Sequence, residues 1–143
     1  MKKLISLTLF LILLFTNISF GQTSNISDAI KDLEMVEKKI NIMIDEISGD
    51  EPLDMTQFMK DIKFCESILA SCSKQISKDY SNEPDIELKA AYSSLLYVSS
   101  LYALSLSSMI VYINNETKSN YFVELCSTYK DGTLALNAIK SNF

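Results

Sequence analysis

A stretch of 24 residues without a charged side chain, Ala90 to Ile113, constrains this chain more than any other feature. Leucine, valine, isoleucine and methionine recur in it at helical spacing, so one broad side of the predicted helix is apolar. Its seven serines and four tyrosines supply hydroxyls, but the lysines and glutamates that normally cover a solvated helix face are missing. We expect such a helix to be covered on all sides, by other helices of the same chain or by a second copy.

The same stretch is long enough to cross a bilayer, for which about 20 apolar residues suffice. Its serines lower the hydropathy, however. Tyr92, Tyr97 and Tyr102 also lie in the middle of the segment, whereas membrane helices concentrate tyrosine at the two interfaces. We therefore interpret the segment as the buried helix of a bundle, with a membrane span as the alternative.

The N-terminus has the pattern of a bacterial secretory signal peptide. Lys2 and Lys3 precede an apolar run from Leu4 to Phe15, and small residues end the segment at Ser19 to Gly21. The pattern predicts cleavage before Gln22 and export to the periplasm or the extracellular space. No cysteine lies at the cleavage position, so a lipoprotein anchor is not indicated. An uncleaved N-terminal anchor is the alternative.

The composition of the mature chain excludes several classes of function. Without Lys2 and Lys3 the chain keeps 11 lysines against 18 acidic residues, so its net charge falls from −5 to −7, and it contains no arginine and no histidine. Nucleic acids and anionic membranes require a positive patch, which an acidic chain without arginine does not favour. The missing histidine removes the usual general base and the commonest transition-metal ligand.

Apolar periodicity predicts one all-α domain over residues 22–143, following a signal peptide over 1–21. The predicted start signals are Asn25 or Ser27, Asp54 and Pro84 with Asp85, each at a position suited to the first turn of a helix. Gly132 lies on the apolar stripe of the last segment, where it permits close packing or breaks the helix; we expect a continuous helix. Short links between the segments favour an antiparallel up-down four-helix bundle. The predicted helices span about 26–48, 54–80, 84–113 and 117–142.

The three cysteines, Cys65, Cys72 and Cys126, all fall on apolar faces. Cys65 and Cys72 are seven residues apart, about 10.5 Å along a helix, which is too far for a disulfide. We interpret all three as small buried side chains. One bridge from Cys126 to either of the others is the alternative.

No residue pattern reaches the level of a catalytic, metal or cofactor signature. Bundle di-iron sites need histidine, and c-type haem needs a C-x-x-C-H motif, so neither is predicted. The acidic residues between the first two helices do not match a calcium-binding loop and are interpreted as solvated helix ends. They are Asp45, Glu46, Asp50, Glu51 and Asp54.

The sequence therefore predicts an exported, non-enzymatic bundle that acts by binding a protein partner or by self-association, with a homodimer as one form. An acidic inhibitor or immunity-type protein that blocks a basic enzyme is one concrete version. The predicted partner-binding face is the uncharged side of the central helix. Its residues are Ser93, Tyr97, Ser100, Leu101, Leu104, Ser107 and Ser108.

A carrier of a small apolar ligand is the alternative function. The mature chain has five methionines, whose flexible side chains could line an adaptable interior. They are Met35, Met43, Met55, Met59 and Met109.

Overall fold

A computed structural model describes the backbone of residues 2–115 and 119–143, and the side chains of residues 25–115 and 119–143. Within these residues the chain forms four helices and no strand. The all-α prediction is therefore confirmed. The helices are α1 (Lys2–Ser48), α2 (Met55–Asn82), α3 (Ile86–Asn114) and α4 (Ser119–Lys140).

Aspartates cap the two central helices. The carboxylate of Asp54 accepts hydrogen bonds from the backbone N–H groups of Thr56 and Gln57, at 3.0 and 3.1 Å. Asp85 does the same at the start of α3. Both caps satisfy N–H groups that a helix leaves without an internal partner. Because Asp85 is the cap, Pro84 lies just outside α3, and the helix begins two residues later than predicted.

The first helix begins earlier than predicted. It was expected to begin near residue 26 with Asn25 or Ser27 as its cap, but α1 is continuous from Lys2. No proline occurs before Pro52, and a single Gly21 lowers helix stability without ending a helix. The signal peptide and its cleavage before Gln22 stay predictions.

Neighbouring helices run antiparallel. The thiol of Cys72, in the second half of α2, lies 3.9 Å from the carbonyl of Ala29, whereas Lys39, further along α1, pairs with the earlier residue Asp61 at 3.0 Å. Lys89, near the start of α3, lies 5.6 Å from the ring centre of Tyr80, near the end of α2, and Ser105 in the second half of α3 bonds to Leu125 in the first half of α4. Between α1 and α4, Asn41 bonds to Tyr129, whereas the earlier residue Glu34 pairs with the later residue Lys140. The chain is therefore an up-down four-helix bundle.

The most extensive contact in the bundle is between α3 and α4. Tyr102 is fully buried there, and α4 continues without a break through Gly132. A Cβ atom at Gly132 would lie 2.5 Å from the Cε1 atom of Tyr102. Gly132 therefore leaves space for the ring of Tyr102. The helix continues through Gly132, as the sequence predicted.

All three cysteines are free thiols. Cys65 and Cys72 are buried, and Cys126 is partly buried. Burial raises the pKa of Cys65 to about 11 and that of Cys72 to about 12. Within the described residues α2 and α4 do not pack against each other, so Cys126 lies diagonally across the bundle from the other two.

Candidate functional site

The predicted partner-binding face divides into exposed and covered residues. Leu101 is partly buried and Ser108 is buried. We use the name α3 face for the exposed residues, which lie on one side of the helix between its contacts with α2 and α4. They are Ser93, Tyr97, Ser100, Leu104 and Ser107.

Ser108 lies inside the contact with α4. Its hydroxyl donates a hydrogen bond to the Glu124 carboxylate at 2.9 Å, and the buried Ser105 donates to the carbonyl of Leu125 at 3.2 Å. The sequence placed both serines on the polar side of the helix. In the bundle α4 covers part of that side, because serine is small enough to sit in a helix contact when its hydroxyl has a partner.

The exposed serines present less polar surface than their composition suggests. Ser100 donates its hydroxyl hydrogen to the carbonyl of Leu96 at 2.9 Å, and Ser107 donates to Ala103 at 3.0 Å. Serines in helices commonly bond the preceding turn in this way. Because these hydroxyl hydrogens are already used, covering the α3 face would leave few donors without a partner.

Two large side chains protrude from the α3 face. Tyr97 is 58% exposed and Leu104 is 44% exposed. The two residues are seven positions apart, about 10.5 Å along the helix. They form the apolar part of a surface that carries no charge.

A groove of small side chains borders the α3 face on each side. The groove between α2 and α3 has a volume of 350 Å³ and includes Ala70, Ser73 and Ala103. The groove between α3 and α4 has a volume of 370 Å³ and includes Ala135 and Ala138. Protruding side chains and recesses therefore occur together on this side of the molecule.

By length and composition α3 is the one helix in the described part of the chain that could cross a membrane. In the bundle 39% of its most apolar window is buried. The buried helix of a water-soluble bundle meets the same criterion, so this property does not discriminate between the two interpretations.

The turn between α1 and α2 forms a second distinctive region. No group of three metal-binding side chains lies close enough to hold an ion anywhere in the described residues. Two clefts flank the turn, with volumes of 490 and 480 Å³. The sequence indicated the carboxylates of this turn. The larger cleft is formed by residues 42–58 around the turn, whereas the smaller cleft also includes the end of α3, which is distant in sequence.

The buried hydroxyls of Tyr102 and Thr133 make no hydrogen bond to the described residues. Burial raises the pKa of Tyr102, and the side chain of Thr133 lowers it by a smaller amount. Nearby, Tyr129 donates a hydrogen bond to Asn41 at 3.2 Å. The raised pKa keeps the Tyr102 hydroxyl protonated at neutral pH.

The methionines are scattered in the structure. Met43 and Met109 are fully buried, Met59 is partly buried, and Met35 and Met55 are exposed. They do not gather around one interior space, so the structure gives no specific support to the carrier alternative.

No family model, curated protein or solved structure matches this chain.

Proposed function

We propose that this protein is an exported, non-enzymatic binding protein that associates with a second copy of itself through the α3 face. The observation that carries the proposal is an exposed helix face without charge, bordered by two grooves, on a chain whose mature form has a net charge of −7. A solvated helix normally exposes lysine and glutamate instead.

Charge favours this surface as the point where two copies meet. Two molecules with the same net negative charge repel each other, and the repulsion is weakest where no carboxylate approaches another. Glu66 and Glu87 are the charged residues that line the two grooves. They lie at the borders of the surface, where solvent screens them.

Shape also favours a second copy. In a two-fold dimer each subunit uses the same surface patch, so that patch has to be complementary to itself. The α3 face meets this condition because Tyr97 and Leu104 protrude beside grooves whose lining includes several alanines and serines. The protruding side chains of one copy can enter the grooves of the other, as in packed helix pairs.

The test is the solution mass of residues 22–143, measured by light scattering after size exclusion without detergent. We expect a dimer. Tyr97→Asp combined with Leu104→Asp should give a monomer with unchanged helical circular dichroism, because four carboxylates would then meet at the interface. The matched control, Phe64→Asp with Val123→Asp, adds the same charge at equally exposed apolar residues and should stay a dimer.

A wild-type monomer at all concentrations would contradict the proposal. Loss of helical signal in the Tyr97 and Leu104 variant would show that the α3 face belongs to the core of the folded state. A requirement for detergent would instead support a membrane span by α3. A monomeric control variant would show that dimerisation is a general effect of charge.

A further inference from the structure

The turn between α1 and α2 combines carboxylates with apolar clefts. No lysine occurs in the 20 positions between Lys39 and Lys60. In the described part of the chain, none of the turn's carboxylates forms an ion pair. These carboxylates are Asp45, Glu46, Asp50, Glu51 and Asp54.

The segment from Gly49 to Leu53 separates two clefts. The larger cleft lies between α1 and α2 and includes the apolar side chains of Ile42 and Phe58. The smaller lies towards the end of α3 and includes Tyr112 and Ile113. The mainly apolar lining of the larger cleft makes it different from an ordinary solvated cluster of acidic side chains, whereas the smaller cleft combines Tyr112 and Ile113 with a more polar lining.

Both clefts share the same two acidic residues. Glu46 and Glu51 line each of them, and Asp45 and Asp54 line the larger one. No lysine lines either cleft within the described residues. Each recess therefore places carboxylates that have no cationic partner among the described residues beside apolar side chains. Two of these carboxylates also accept hydrogen bonds, because Asp54 caps α2 and Asp45 accepts from Asn41.

A lysine or arginine side chain matches this combination. Its aliphatic stem packs against apolar surface, and its charged end forms hydrogen bonds with carboxylates. We propose that the turn docks a basic surface of another protein, which places one lysine or arginine side chain in each cleft. Charge complementarity of this kind speeds association and selects the partner.

Two features favour a protein surface over a lone cation. The structure does not bring three metal-binding side chains together here or elsewhere among the described residues. Gly49, Pro52 and Leu53 line both clefts, so two cationic side chains held on one scaffold can enter both. Two side chains on one scaffold also lose less translational freedom on binding than two independent ions do.

This docking site does not depend on the α3 dimer, because it uses a different surface. One version of the function is an acidic protein that blocks a basic enzyme. The docking site would be the contact region in that version. The two proposals can therefore fail separately: dimer mass tests one, and binding of a basic probe tests the other.

The probe is a synthetic peptide of six arginines, titrated into residues 22–143 by calorimetry and by amide NMR at low and at physiological salt. We expect the largest chemical-shift changes at residues 42–58 and at the end of α3. The combined variant Glu46→Gln, Glu51→Gln and Asp54→Asn should bind about tenfold more weakly. Asparagine at position 54 keeps the helix cap.

The matched control removes the same charge elsewhere. Asp28→Asn, Glu124→Gln and Asp131→Asn alter three exposed carboxylates on α1 and α4, away from both clefts and from the grooves beside the α3 face. This variant should bind the peptide with an affinity within about twofold of the wild type. Equal weakening in both triple variants would show attraction by net charge alone and would overturn the proposal.

The apolar lining is tested separately by Ile42→Ser, which leaves every charge in place. Ile42 is exposed, so the variant is expected to fold. Weaker peptide binding by about threefold would support insertion of the side-chain stem. Unchanged binding by this variant, or shift changes spread over the whole surface, would overturn a cleft-specific site.

Discussion

The two helix pairs of this bundle, α1–α2 and α3–α4, pack against each other through different kinds of side chain. The contact between α1 and α2 includes an ion pair, Lys39 with Asp61, at its edge. The contact between α3 and α4 instead uses two buried serines and the space left by Gly132. The polar contact between helices is thus an ion pair in α1–α2, whereas in α3–α4 it consists of serine hydroxyls beside a glycine.

This difference explains how the stretch from Ala90 to Ile113 of α3 can lack charged residues. Serine hydroxyls bond to α4 or to the preceding turn, so the helix needs no charged residue to satisfy its polar groups. We therefore expect the stability of the α1–α2 pair to depend on charge and that of the α3–α4 pair on side-chain size. The following predictions test this contrast, from the largest expected effect to the smallest.

Gly132→Val should lower the free energy of unfolding by about 3 kcal/mol, because the added side chain would overlap the ring of Tyr102. Urea unfolding followed by circular dichroism measures the change. The control, Gly49→Val, adds the same side chain where a Cβ makes only ordinary contacts, and it should change stability by about 0.5 kcal/mol or less. Equal effects at both glycines would contradict tight packing between α3 and α4.

Lys39→Met should lower the free energy of unfolding by about 1 kcal/mol, because it leaves the buried Asp61 carboxylate without its cationic partner. Gln57 still donates a hydrogen bond to that carboxylate at 3.1 Å, which limits the loss. Lys31→Met is the control, since the Lys31 and Asp28 pair is exposed and contributes little. An unchanged free energy of unfolding in Lys39→Met would show that the stability of the α1–α2 pair does not depend on this charge.

Raising the pH from about 9 to 10 should destabilise the fold by on the order of 1 kcal/mol through the α2 thiols. Burial raises the pKa of Cys65 and Cys72 from 9.0 to about 11 and about 12. The unfolded chain therefore loses these protons first. Their contribution to stability is complete below pH 9 and decreases as the pH rises towards the folded-state values.

Urea unfolding at several pH values measures this loss. Cys65→Ala with Cys72→Ala should reduce the pH dependence below pH 10, even if the variant is less stable at every pH. Above pH 10 the tyrosines add their own dependence, because burial also raises the pKa of Tyr92, Tyr102 and Tyr129. An unchanged slope in the double variant would contradict the assignment to the thiols.

Tyr102→Phe should have the smallest effect, between zero and about 1 kcal/mol of stabilisation, because it removes a buried hydroxyl without a hydrogen-bond partner. The ring, which fills the space beside Gly132, is kept. Thermal unfolding compared with the wild type measures the change. Destabilisation by about 1 kcal/mol or more would show that the hydroxyl forms a stabilising hydrogen bond in solution.

Much of the architecture was predictable because it depends on local patterns. The spacing of Phe58, Ile62, Cys65 and Leu69 predicted which side of α2 is buried, and the structure buries all four. Asp54 was predicted to cap α2 and does so. Periodicity and capping act within one or two turns, so they can be read directly from the sequence.

The candidate surfaces were only partly predictable. Exposure of Tyr97 and Leu104 follows from their positions on the helix, but burial of Ser108 depends on where α4 packs. The smaller cleft beside the α1–α2 turn includes Tyr112 and Ile113, about 60 residues away in the chain. No local pattern indicates that these residues meet.

The sequence by itself determined four helical segments, their apolar stripes and the absence of charge between Ala90 and Ile113, because helix formation and amphipathicity depend on residues three or four positions apart. Only the tertiary structure decided which serines are covered, why Gly132 is needed and where clefts form. Those outcomes depend on how the surfaces of two or three helices fit together, and the spacing of residues along one helix does not contain that information.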